Sequence, residues 1–367
     1  MASKDSTPFG HKLTTLIYSI SKILAVGVRL YSGSILVAAF FGISIYLAVI
    51  IISVLTYFYT LIGGLKAVVR TDLLQASLFI IGGITAHILI PKTGNSSWFE
   101  LWSIAYQGDK ISLFDFTNPY PFFVGVIGGF LFDMATHGVD QDFTQRLMAC
   151  HSIKRAKQAI FFSSFLSIVV GSLFLGVGAL LWAYYQKTPL PPGVKPDHIF
   201  AHFITNYFPS PLKGLMLAGV LAATMSTLDS TINALSSCLW NDFLPNRNIK
   251  NIRKYIAIDT LIIGLLLLFV ALLASTSDQL LLLGLKVASW SGGSLLSLFF
   301  SQLIWKKWIQ TPLNGLTVSG NYIVNIIAVF INTFIIKGAW QWNVYWGFIC
   351  GTLFLFIYGK NRQIFTD

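Results

Sequence analysis

The sequence predicts an all-α membrane protein of about ten transmembrane helices. Three observations predict that class. Hydrophobic residues fill 55% of the 367 positions and charged residues only 11%, with 10 Trp and 30 Phe, a balance that suits surfaces facing lipid. Apolar runs of about 20 residues or more recur with short polar breaks between them, and that length crosses a hydrocarbon core. Lys and Arg fall unequally on alternate breaks, sixteen against six, with Lys22, Arg29 and Lys286 left inside spans.

The expected spans are 12–40, 43–62, 66–90, 121–148, 152–186, 210–243, 253–275, 279–305, 314–336 and 342–359. With the N-terminus inside, the sixteen basic residues face the cytoplasm, so both termini are expected there. The expectation is therefore an integral, multi-pass protein of the cell membrane, inner or plasma. MASKDSTPFGHK has no apolar core before a small-residue cleavage site, so no cleavable signal is expected. The net charge of +11 is assigned to loops facing anionic membrane lipid, and no nucleic-acid partner is expected. Cys150, Cys238 and Cys350 have neither metal spacing nor the look of a disulfide framework. The sequence has no HExxH, no GxSxG and no paired aspartates on facing spans, which argues against an intramembrane enzyme.

In chain order, the first span holds Lys22 and Arg29. Lys22 is expected to snorkel to the headgroups, and the deeper Arg29 to face a polar interior. Gly63-Gly64 is expected to end the second helix, with Lys66 and Arg70 at the inner surface. Asp72 follows just inside the third span, either answering the helix dipole or drawing a cation toward a pathway. Trp98, Trp102 and Tyr106 suggest an interfacial helix. The fourth span, GVIGGFLFDMATHGVDQDFTQR, has its glycines at 125, 128, 129 and 138 and its polar groups late. A break between Gly128 and Gly138 is expected there, with Asp142 to Arg146 as the inner end. The outer loop 187–209, with five prolines, is expected to form a partly rigid cap. The eighth span is locally polar around Ser289 to Ser294, which suits a gate or a packing face. The ninth and tenth are expected to be peripheral, without a distinctive polar cluster.

The sixth span carries the densest polar chemistry, LAATMSTLDSTINALSS from Leu221 to Ser237. On a helix, the Ser226 and Thr227 hydroxyls share a face with the Ala223 carbonyl. Three hard oxygens at membrane depth suit a small cation such as Na⁺. The alternative is that small residues only let two helices approach, with hydroxyls bonding back to the backbone. Both readings stand at this point.

Three stretches together resemble the sodium/solute symporter family, which has the LeuT-type architecture: GGLKAVVRTDLLQ (63–75), THGVDQDFTQRLMA (136–149) and LAATMSTLDSTINALSS (221–237). The resemblance implies a core of five helices repeated in inverted orientation, and Na⁺-driven uptake of a small-molecule solute. By position it makes Ala223, Ser226 and Thr227 sodium ligands and sets Asp72 near the sodium route. It makes Asp133, His137, Asp140 and Gln141 the substrate-side candidates of a broken helix.

The resemblance begins at the family's third core helix. It therefore implies a partial inverted-repeat core: a lead-in over 1–11, core helices three to ten over 12–305, and two peripheral helices with a short tail over 306–367. The expected function is sodium-coupled symport by an N-terminally truncated form, completed by a separate N-terminal fragment. The alternative is a non-transporting remnant or scaffold.

Overall fold

The computed structural model of the chain describes residues 8–111, 122–243, 252–276, 279–303 and 315–364. Every described element is helical: α1 (Pro8–Phe41), α2 (Ile45–Thr93), α3 (Trp98–Gln107), α4 (Gly129–Gly138), α5 (Gln141–Met148), α6 (Ile153–Lys187), α7 (Ile199–Tyr207), α8 (Ser210–Phe243), α9 (Ile252–Ala274), α10 (Leu280–Leu303), α11 (Gly315–Phe330) and α12 (Gln341–Ile364). Seven of the ten expected spans are helices long and apolar enough to cross a membrane unaided. The other three are the shorter apolar helix Ile45–Leu61, the broken fourth span and α12.

Local sequence sets the helix ends. Gly42, at a φ of +64°, turns the chain after α1. The Ser44 hydroxyl accepts from Leu47 N to start α2, and Ser152 caps α6 in the same way through Arg155 N. Ser97 and Glu100 form a reciprocal capping box on α3, the expected interfacial helix. Within the outer loop 187–209, α7 buries Ala201, Phe203 and Ile204 and packs on α1, so this part of the cap is anchored by apolar contact.

Gly63-Gly64 does not end a helix as expected. Helical hydrogen bonding runs the full 49 residues of α2, about 74 Å of helix at 1.5 Å per residue. Glycine weakens a helix by about 1 kcal/mol against alanine, which does not by itself break one. The side chains of residues 62–72 are not described, and Asp72 lies among them.

α1 is the hub. Of its apolar window 61% is buried, against 11% for α6, which shows its sides to lipid. α1 packs on α2, α8, α9, α10 and α11. It runs antiparallel to α8, because Thr15 donates to Asp242 near one end and Gly33 meets Thr224 near the other. The second half of α2 is also antiparallel to α8, pairing Gly82 with Met216 and Leu78 with Gly219.

The ninth and tenth spans differ from expectation. Asn321, Asn325 and Asn332 on α11 and the turn after it, with Asn343 on α12, are all buried. Asn321 accepts from Ser294 Oγ at 2.8 Å and donates to Ser297 Oγ at 2.9 Å. Asn325 donates to the Trp290 carbonyl at 2.7 Å. Asn332 donates to Asn343 Oδ1 at 2.7 Å, and Asn343 to Ser289 Oγ at 3.0 Å. The polar face of α10 is thus a packing face, and its partners are the helices expected to lack polar clusters. Amides satisfied across helices hold where apolar contact alone gives no preference over lipid.

Gly293 lets α10 and α12 touch backbone to backbone: a Cβ there would stand 2.7 Å from Phe348 N and 2.8 Å from the Gly347 backbone. Neither atom can move aside. Gly293→Ala should therefore lower unfolding stability in detergent by about 1–3 kcal/mol, the usual cost of overpacking. Gly264→Ala, where a Cβ meets nothing within 4 Å, should be neutral or slightly stabilising. Equal thermal shifts for the two variants would contradict this packing.

Candidate functional site

Tyr18, Lys22, Val26 and Arg29 follow one another along α1 at spacings of four, four and three, so they line one face of the helix. That face looks onto the break in the fourth span. A π-helical turn, Val124–Gly128, leads into α4. The break itself lies beyond the expected interval, at Val139 and Asp140. Asp140 has extended backbone, φ −70° and ψ 125°, and its Oδ1 accepts from Asp142 N at 2.9 Å to cap α5. An aspartate serves both needs, since it favours the extended conformation at a helix start and supplies the acceptor.

The remaining capacity of Asp140 is spent on α1. Tyr18 Oη donates to Oδ1 at 3.0 Å, and Lys22 Nζ lies 2.7 Å from Oδ2. Lys22 is also 3.5 Å from Asp142 Oδ2, and its side chain is 13% exposed. The expected snorkelling does not occur, because two carboxylates near the helix break offer the ammonium a closer partner than the headgroups. Asp142 in turn pairs with Arg146 Nε at 3.4 Å and accepts from Ser230 Oγ on α8 at 3.2 Å. Two carboxylates and two cations balance.

Two cavities flank Arg29. The first, about 130 Å³, lies between α1 and α8 and is lined by Val26, Arg29, Leu30, Ala223, Thr224, Thr227 and Leu228. The second, about 70 Å³, runs along the α1 stripe against α4 and α10. Tyr18, Lys22, Arg29, Thr136, Asp140 and Ser291 are among its walls. No carboxylate pairs with Arg29 among the described residues.

At the expected sodium oxygens the structure shows a hydroxyl bonded back to the backbone of its own helix, as the alternative reading has it. Thr227 Oγ1 donates to the Ala223 carbonyl at 2.9 Å, and both residues line the first cavity. Ser226 is buried and is not among the lining residues. The two oxygens thus stand at hydrogen-bond distance, each with lone pairs to spare, an arrangement that a small cation can bridge in place of the hydroxyl proton. Asp229, completely buried, accepts from Asn233 Nδ2 at 3.1 Å on the same helix.

Among the four substrate-side candidates, Asp140 alone lines either of these two cavities. The Asp133 side chain is 75% exposed, and His137 lies 3.9 Å from it within α4. The His137 ring meets Phe143 edge-on at 4.6 Å, across the break. Gln141 is the first residue of α5. Tyr18, Thr136, Thr224 and Ser230 were not singled out in the sequence, whereas Ser291 belongs to the polar stretch expected to form a gate or a packing face. The α1 residues had a signal, the helical spacing of Tyr18, Lys22 and Arg29. The others are set by tertiary packing.

The profile of the sodium:solute symporter family matches residues 9–312. Sodium-coupled monocarboxylate transporter 2 of Mus musculus is 28% identical over 325 residues, covering 83% of this chain and 52% of the relative. The sodium/sialic acid symporter NanT of Aliivibrio fischeri is 25% identical over 370 residues, covering 95% and 69%. A solved Na⁺-coupled sialic acid symporter, in a substrate-bound outward-open state, superposes with a TM-score of 0.79 at 24% identity, covering 95% of this chain and 73% of that one. That likeness shows the fold. The chain spans about half the length of the first curated relatives it matches.

The Asp140 assignments generate a stability test. Asp140→Ala removes the cap of α5 and the partner of Lys22, and should cost about 2–4 kcal/mol, between a lost cap and a broken buried pair. Asp140→Asn keeps the capping oxygen and should cost clearly less. Equal losses in chemical denaturation would show that the cap contributes nothing.

Proposed function

The chain belongs to the sodium:solute symporter family, and we propose that it serves sodium-coupled symport of a small solute bearing a carboxylate. The observation that carries this reading is Arg29. It stands between one cavity lined by Ala223 and Thr227 and a second closed by Asp140 and Lys22, with no described carboxylate to neutralise it. A guanidinium so placed selects an anion, and its planar fork matches a carboxylate. The relatives named above are a monocarboxylate transporter and a sialic acid symporter, whose solutes are carboxylates.

In this reading the Ala223 carbonyl and the Thr227 hydroxyl hold Na⁺, with Ser226 as the third oxygen on α8. The rest of the ion's shell comes from water, from the solute carboxylate or from another segment of polypeptide. Asp72 stands along the sodium route. Asp140 acts on the solute side by fixing the helix break. The side of the membrane bearing the α1 N-terminus is the cytoplasmic one, in keeping with the distribution of Lys and Arg.

The test is uptake by the protein in proteoliposomes under an imposed sodium gradient, with radiolabelled acetate, lactate, benzoate and sialic acid. At least one should accumulate only with sodium. Arg29→Gln should then raise the solute KM roughly tenfold or more, as expected for a lost charged hydrogen bond. Thr227→Val, which keeps the shape and loses the oxygen, should raise the sodium concentration for half-maximal uptake roughly fivefold with a smaller effect on solute KM. Sodium-independent uptake, or an Arg29→Gln variant with unchanged KM, would sink the proposal.

A further inference from the structure

We propose that Lys22 is a gating residue. By bridging Asp140 and Asp142, its ammonium closes the end of the second cavity nearer the N-terminus of α1, and its release opens that end. The inference rests on the symport reading, which supplies a solute that must leave.

The placement comes first. The wall of the second cavity follows α1 from Tyr18 to Arg29, about 16 Å of helix at 1.5 Å per residue. Arg29 stands at one end of that path, with Tyr18, Lys22 and Asp140 at the other. A solute drawn to Arg29 meets the Lys22 ion pairs on its way toward the α1 N-terminus.

The bridge is also made of side chains rather than close packing. α5 packs on α4, α6 and α8, and α1 is not among its close neighbours. Tyr18 and Lys22 reach across to Asp140 instead. Electrostatic contact at a distance can open without tearing a packed helix interface.

Release costs Asp140 Oδ2 its ammonium, which the water of the cavity must replace, and leaves the other carboxylate oxygens partnered. Asp140 keeps Tyr18 and the amide of Asp142. Asp142 keeps Arg146 and Ser230. The ammonium, on a flexible four-carbon stem, can turn into the water of the cavity. Ser230 Oγ, bonded to Asp142, lies 3.2 Å from the Thr227 carbonyl, so the gate also touches the helix of the proposed sodium oxygens.

A buried cysteine reports the gate. With Cys150, Cys238 and Cys350 replaced by Ser or Ala, Ser291→Cys puts one thiol on the cavity wall, where Ser291 is 6% exposed. A membrane-impermeant thiol reagent is added to vesicles on the side bearing the α1 N-terminus. Lys22→Gln should speed labelling at least tenfold, and Lys22→Arg should stay within about twofold of the parent. Should Lys22→Gln not fold, the charge-balanced pair Lys22→Gln with Asp142→Asn carries the same expectation. A control thiol at Ser301→Cys, on the same helix but buried away from the cavity, should stay slow in every variant. Parent-like labelling of Ser291→Cys overturns the gate, as does equal acceleration at Ser301→Cys, which signals general loosening. The readout uses neither sodium nor solute, so failure of the gate and failure of the symport reading are seen separately.

Discussion

A helix that breaks inside a packed bundle leaves amide groups that its neighbours must satisfy, and here one carboxylate answers that constraint. Asp140 Oδ1 caps α5 through Asp142 N while also accepting from Tyr18. Its Oδ2 meets the Lys22 ammonium. The charge that makes the cap strong would itself be costly there, and Lys22 compensates for it. Position, cap and counter-ion depend on one another. The second cavity takes one of its walls from the result, with Tyr18, Lys22 and Asp140 together along it.

The same constraint is met differently on the other side of the bundle. α10, α11 and α12 carry no ion pair among the described residues, and their buried polar groups are neutral amides and hydroxyls. Asn321, Asn332 and Asn343 use serine hydroxyls and one another as partners. With Gly293 and Gly347 bringing backbones into contact, this part is held by short, neutral bonds. The α1–α5 contact is held by charges on flexible stems. The two modes suit a frame and a moving part.

Much of the fold was legible in the sequence because hydropathy reports lipid contact directly. The expected spans are helical among the described residues, with ends within a few residues of those expected, except that the second and third run together in α2 and the fourth is broken at Asp140. Gly63-Gly64 misled, since glycine lowers helix propensity without forbidding a helix. The break in the fourth span was placed too early because glycines drew attention from Asp140, whose capping chemistry decides the matter. The asparagines of α11 recur at 321, 325 and 332, a helical spacing that single-residue hydropathy ignores. Local contacts are legible, such as the bond from Thr227 back to Ala223 one turn earlier. The site was illegible where residues distant in sequence meet: nothing about Lys22 alone announces Asp140, 118 positions later.

Lys22 and Arg29 show how two cations on one helix face come to different ends. They lie seven residues apart, so both point toward the break, and each enters the second cavity. Lys22 lies within reach of Asp140 and Asp142, and with Arg146 the local charge sums to zero. Arg29 lies about 10 Å farther along the helix axis, beyond those carboxylates, and keeps its charge for whatever occupies the space. Across 4 Å at an effective dielectric constant of about 20, a carboxylate gains roughly 4 kcal/mol from such a charge before desolvation is counted. A neutral solute gains none of this and must still displace water from the guanidinium. On the symport reading the Lys22 pair bears on selectivity without touching the solute: it neutralises aspartates that already lie out of reach of Arg29, and the space beside Arg29 stays positive.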